Sequence, residues 1–252
     1  MRICTIYCCG TSHRLNETNN TIAVLYQNDL GSDTDHTITF CGDQYWKKGF
    51  DGPLNLSAIS PGGLQKKRRD EAVAWVQKHK PEFLNICGHS RGAFLAQAIA
   101  VEVSKKYSGS ININVMAVDP VNQTSMSHVW VPQNSKIKKY YQVVMLNDND
   151  KILGSRVNKL HLSGVKGGKS TMMSTIPLPG SHGGAMACKT TATGRLGDDT
   201  VQKFMIECGS DFKDGTVARI YDYSIWCENY AKLLANLRPS GVMQLAHGAK
   251  DK

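Results

Sequence analysis

The pentapeptide Gly88-His89-Ser90-Arg91-Gly92 constrains this chain more than any other feature, because of what flanks it. Before it runs Phe83-Leu84-Asn85-Ile86-Cys87, a short apolar segment of strand character that begins after Pro81. After it, Ala93 to Lys106 reads as a strongly apolar helix carrying Phe94, Leu95, Ala98, Ile99, Val101 and Val103. A strand that becomes a helix within five residues must turn sharply. Two glycines let strand and helix approach closely, and the serine between them is held at the apex.

The rest of the chain continues the alternation. Residues 2–8, Thr21 to Gln27, Thr37 to Cys41, Ile113 to Val118 and Tyr140 to Leu146 read as strands, and Leu64 to His79 as a helix with Ala72, Val73, Trp75 and Val76 on its apolar side. Residues 42–63 are rich in Gly and Pro and read as a long irregular excursion, and residues 154–194, rich in Gly, Ser, Thr and Lys, as a second. Helical periodicity returns weakly near Val201 to Ile206 and better from Tyr223 to Leu237. No repeat or linker divides the chain. The expectation is one α/β domain over residues 1–252, a mostly parallel central sheet with helices on both faces.

Composition limits the setting. Apolar residues make up 41% of the 252 and charged residues 20%, enough for a sizeable core. No run approaches the roughly 20 apolar residues of a spanning helix, and the start is too short and Cys-rich for a secretory signal. Eight cysteines, at 4, 8, 9, 41, 87, 188, 208 and 227, form no Cys-x-x-Cys pair. They read as reduced thiols in a protein synthesised in the cytoplasm, with no metal site. A net charge of +9 favours anionic partners, with Lys66-Lys67-Arg68-Arg69 the densest basic run and Lys136, Lys138 and Lys139 a looser one. No zinc-finger, RNA-binding or basic-zipper spacing accompanies these runs, so nucleic acid is not expected. Gly164 to Ser170 resembles a phosphate loop only superficially, since Ser163 stands where its first glycine belongs.

The strand-turn-helix around Ser90 has the form of a nucleophile elbow, which points to an α/β-hydrolase fold and a serine nucleophile. A serine hydroxyl attacks only when a base takes its proton, and in this fold the order along the chain is serine, acid, histidine. Of the histidines after the elbow, His128 comes too early, His161 lies in a Lys-rich stretch and His247 in a polar tail. His182, in Pro179-Gly180-Ser181-His182-Gly183-Gly184, sits in a glycine-flanked loop suited to presenting an imidazole. The acid has two candidate positions: Asp119, ending one strand, or Asp148 and Asp150, ending the next. Periodicity does not separate them.

Four short islands between residues 3 and 184 (Cys9-Gly10-Thr11, Gly88 to Ala93, Asp119-Pro120-Val121 and Pro179 to Gly184) resemble the α/β-hydrolase family that includes the type VI secretion phospholipase effectors. His89, Cys9 and Pro120 stand where that family usually has Phe, Asp and Thr. The resemblance implies a triad of Ser90, Asp119 and His182, with delivery by a specialised secretion system. Backbone N–H groups of Arg91 and of the first strand's end, Gly10 or Thr11, are expected to form the oxyanion hole. Resemblance and charge together imply hydrolysis of carboxylic esters of lipids or phospholipids, without a cofactor. Tyr45, Trp46 and Phe50, with Lys47 and Lys48 between them, are the best candidate membrane-facing segment, unless the rings pack beneath their own loop. The rival readings are a soluble carboxylesterase or thioesterase, and a catalytically inactive membrane- or partner-binding protein.

Overall fold

The computed structural model describes residues 1–10, 18–31, 36–40, 63–121, 136–145, 171–178, 180–186, 192–213 and 231. In chain order the elements are β1 (Ile3–Cys8), α1 (Thr21–Asn28), β2 (Thr37–Thr39), α2 (Gly63–His79), β3 (Phe83–His89), α3 (Arg91–Lys106), β4 (Asn112–Val118), β5 (Ile137–Met145), β6 (Met172–Leu178), a 3₁₀ turn (His182–Met186) and α4 (Ala192–Glu207). The six strands form one sheet in the order β2-β1-β3-β4-β5-β6. All five pairings are parallel.

Parallel strands need crossover helices, and these cover both faces of the sheet. On one face Ile6, Leu84, Ile86, Ile113 and Val115 pack against Val76 of α2 and Leu95 and Ile99 of α3. On the other, Tyr7, Cys87, Met116 and Val143 pack against Ile22 and Leu25 of α1 and Leu196, Val201 and Phe204 of α4. Burial on both sides explains why β3 and β4 read as near-continuous apolar runs. Asn85 and Asn114 are polar exceptions in the middle of these strands. Asn114 donates to Asn85 Oδ1 at 3.0 Å, and Asn85 donates to the Cys208 carbonyl at 3.1 Å and Ser210 Oγ at 3.0 Å. Both side-chain amides thereby find partners within the core.

Three expectations are corrected. Thr21 to Gln27 is a helix, not a strand. Asn20 caps it by accepting from the Ala23 N–H at 3.2 Å, and Thr21 Oγ1 donates to Asp198 of α4 at 2.8 Å. Burial of Ile22 and Leu25 on one stripe overrides the β-branched composition. Residues 154–194 are not loop throughout, since they contain β6, the 3₁₀ turn and the start of α4. β6 is an edge strand with most of its side chains partly or wholly exposed, so it lacks a buried strand's pattern and tolerates Pro177. The third correction concerns the thiols. Cys4, Cys8, Cys87 and Cys208 are buried thiols outside any disulfide, but Cys9 is disulfide-bonded. A disulfide requires only that two backbones come within about 4.4–6.8 Å, which no sequence spacing reports. The excursion at 42–62 and Tyr223 to Leu237, apart from Ala231, lie outside the described residues.

The basic run on α2 is not a uniform charged face. Lys66 and Lys67 are exposed and Arg68 and Arg69 half-buried. Arg69 pairs with Asp70 at 2.8 Å and Lys67 with Glu71 at 3.9 Å. Because one disulfide removes two of the eight cysteines, alkylation of the unreduced, denatured protein should label no more than six thiols. Mass spectrometry checks this: reduction should restore eight labels, and eight labels without reductant would contradict the bond.

Candidate active site

The strand registers decide what meets at the carboxyl edge of the sheet. His89 of β3 is level with Val118 of β4, and Val118 with Val143 of β5. The next residues, Ser90 and Asp119, therefore emerge side by side. Ser90 N–H donates to the Val118 carbonyl at 2.9 Å, and Asp119 N–H to the Val143 carbonyl at 2.8 Å.

Ser90 has φ 57° and ψ −126°, a conformation that costs a non-glycine residue about 1–3 kcal/mol. The turn imposes it. A Cβ on Gly88 would lie 2.5 Å from the Gly92 carbonyl oxygen, and one on Gly92 would lie 2.1 Å from that of Cys8. Both glycines are thus places where β3, α3 and the end of β1 come too close for any side chain. Ser90 also stands at the N-cap of α3, where a serine ordinarily bonds a helix N–H, yet its hydroxyl makes no cap bond. Instead Ser90 Oγ lies 2.9 Å from His182 Nε2.

His182 opens the 3₁₀ turn that follows β6. That turn is set by Gly180, at φ 130°, and by α4, whose Gly197 packs so near that a Cβ would be 2.3 Å from the Ala185 carbonyl oxygen. His182 Nδ1–H donates to Asp119 Oδ2 at 2.6 Å. Asp119 is fully buried at φ 43°, and its Oδ1 accepts the Met145 N–H at 3.2 Å. Of the three non-glycine residues at positive φ among the described residues, Lys80 is a helix C-terminal cap, its N–H donating to the Val76 carbonyl at 2.9 Å. The other two, Ser90 and Asp119, belong to this site.

The structure therefore brings together Ser90, His182 and Asp119. Asp148 and Asp150, the other candidate acids, lie outside the described residues, as do His128, His161, His247, Thr11 and the Tyr45–Phe50 segment. Gly10 is buried just beyond β1, and the carbonyls of Cys8, at the end of β1, and of Cys9, which follows it, abut the elbow at Gly92. The first intrahelical bond of α3 runs from Phe94 N–H to the Ser90 carbonyl at 3.2 Å, so the N–H groups of Arg91 to Ala93 precede it. These donors and the helix dipole favour negative charge beside Ser90. Burial, with Arg68 nearby, lowers the Arg91 guanidinium below its usual value. Two thiols lie on the strands that end at the site, and burial pushes Cys8 up to about 12 and Cys87 well above the ordinary thiol value. Both stay protonated, the form of a thiol that does not act as a nucleophile.

Sequence reasoning gives His89 no role, since x in Gly-x-Ser-x-Gly is unconstrained, yet its ring lies against that of His182. No periodicity reports such a contact. The elbow's fit yields a direct expectation: Gly92→Ala should force α3 away from β1. Overpacking of this kind costs about 1–3 kcal/mol. Denaturant unfolding should show that loss, and an unchanged midpoint would contradict the close approach.

Compared by sequence, the chain matches no family model and no curated protein. Compared by structure, it is similar to a candidate hydrolase from Agrobacterium vitis S4, with a TM-score of 0.51 and 11% identity over 82% of this chain and 88% of that one. It is also similar to a candidate α/β-hydrolase of unknown function from Agrobacterium tumefaciens (TM-score 0.44, 16% identity, 84% and 89% covered). A third is an esterase from Pyrococcus furiosus (TM-score 0.44, 12% identity, 81% of each chain covered). With its parallel six-stranded sheet, two helical layers and strained serine turn after β3, the chain has the α/β-hydrolase fold.

Proposed function

We propose that this chain is a serine hydrolase that cleaves carboxylic esters through an acyl-serine intermediate. The observation that carries the reading is the unbroken hydrogen-bonded line Ser90 Oγ to His182 Nε2 at 2.9 Å and His182 Nδ1 to Asp119 Oδ2 at 2.6 Å. These are nucleophile, base and orienting acid, each within the reach such chemistry needs. A hydrolase name also attaches to the Agrobacterium vitis protein that shares the fold.

Ser90 Oγ attacks the ester carbonyl while its proton passes to His182 Nε2. Asp119 keeps the remaining proton on Nδ1 and stabilises the imidazolium. The tetrahedral oxyanion is held by the N–H groups of Arg91 and Gly10. As the intermediate collapses, the carbon–oxygen bond to the alcohol breaks and His182 hands its proton to that leaving group. Water, deprotonated by the same imidazole, then attacks the acyl-serine and releases the acid, and Ser90 regains its proton. No cofactor enters any of these steps.

The substrate we propose is a lipid ester, most naturally a phospholipid at an anionic membrane surface. Support comes from the net charge of +9 and from the likeness of the four sequence islands to the phospholipase effector family, which also suggests delivery by a specialised secretion system. A short-chain ester such as p-nitrophenyl butyrate tests the chemistry, and anionic phospholipid vesicles test the substrate. Ser90→Ala should abolish release of p-nitrophenol while leaving the far-UV circular dichroism unchanged. Turnover by that variant near the wild-type rate would overturn the serine mechanism. Wild type should release fatty acid from the vesicles, with binding that weakens as salt is added. Turnover of the soluble ester alone would favour a carboxylesterase or thioesterase. Vesicle binding without any turnover would favour an inactive binding protein.

A further inference from the structure

His89 is the last residue of β3, directly before Ser90, and is 2% exposed. Its ring stacks on that of His182, with centroids 4.9 Å apart and planes 28° from parallel. Its Nε2 lies 3.3 Å from the His182 carbonyl oxygen. A carbonyl only accepts, so His89 carries a proton on Nε2 and donates it there.

The two bonds His182 makes within its own ring plane do not fix that plane. They leave Nδ1 and Nε2 in roughly opposite directions, toward Asp119 and Ser90. Rotation of the imidazole about the line joining those partners changes neither distance much, so a contact on the ring's face restrains it where those two hydrogen bonds do not. The main chain has a matching freedom. His182 is followed by Gly183 and Gly184 and lies two residues after Gly180, and a Cβ placed on Gly183 would meet nothing within 4 Å. A turn so rich in glycine relies on contacts from elsewhere to hold its backbone.

We propose that His89 is a positioning residue that supplies both restraints, its ring against the face of His182 and its Nε2–H on the His182 carbonyl. The proposal rests on the hydrolase reading for its consequence, but on separate geometry for its evidence. Through it, the residue beside the nucleophile also aligns the base. The expected signature is a loss in kcat with little change in KM, because a misaligned base slows proton transfer without altering how substrate is held.

The test compares wild type with His89→Ala, which removes both restraints, His89→Phe, which keeps a ring without the donor, and His89→Gln, which keeps an N–H without the ring. Turnover of p-nitrophenyl butyrate is read beside the downfield proton resonance of His182 Nδ1–H, assigned by its loss in Asp119→Asn. For His89→Ala we expect kcat to fall about tenfold or more, KM to stay within about twofold, and the resonance to broaden or vanish. His89→Phe and His89→Gln should each recover part of both signals. They also carry the comparison if His89→Ala does not fold. Unchanged kcat and resonance in all three variants would overturn the proposal, as would a rise in KM at constant kcat. A wild type that hydrolyses no ester, yet loses the resonance in His89→Ala and keeps it in His89→Gln, would uphold the positioning role while the hydrolase reading fails.

Discussion

The carboxylate of Asp119 is the group on which the site depends. It is fully buried, and an unpaired charge in that position would cost several kcal/mol. Its two oxygens are satisfied from different parts of the fold, Oδ1 by the Met145 N–H of β5 and Oδ2 by His182 Nδ1. One side chain thus ties the end of β4 to β5 and to the turn beyond β6. Asp119 does this from a strained backbone, φ 43°. Losing it would leave the imidazole without an anchor and the edge of the sheet without a cross-link.

The same economy applies at Ser90. The level registers of β3, β4 and β5 bring the serine beside the aspartate. The near-contacts at Gly88 and Gly92 force the turn that keeps the hydroxyl off the helix and on the imidazole. Burial holds the neighbouring Cys8 and Cys87 in their protonated form. Polar chemistry is therefore concentrated in one hydrogen-bonded line at the carboxyl edge of a parallel sheet, where this class of fold places its ligands.

Much of this could be read in the chain because the elbow is bounded by physical necessity. Only glycine fits at 88 and 92, and the strand and helix around Ser90 are apolar enough to be recognised. His182 was legible from its glycine-flanked loop. The residues alone did not single out the acid, because Asp119, Asp148 and Asp150 all end strand-like runs; the family resemblance pointed to Asp119, and the three-dimensional contact pairs it with His182. α1 was hidden by β-branched residues, although Asn20 offered a cap signal. β6 was hidden because an exposed edge strand containing Pro177 has too few apolar residues to mark a buried face, and α4 because Gly194 and Gly197 weaken a helical pattern. Gly197 is required there by the Ala185 carbonyl. The Cys9 disulfide and the stacking of His89 on His182 are purely tertiary facts.

The central claim is that Ser90 is a nucleophile activated through His182 by Asp119. A fluorophosphonate probe, which forms a covalent bond only with an activated hydroxyl, tests it most directly when the labelled peptide is mapped by mass spectrometry. The account predicts a single adduct on Ser90 in the wild type, with labelling slowed by up to about 10⁴-fold in Asp119→Asn. An adduct on another residue, or labelling of Asp119→Asn at the wild-type rate, would contradict it.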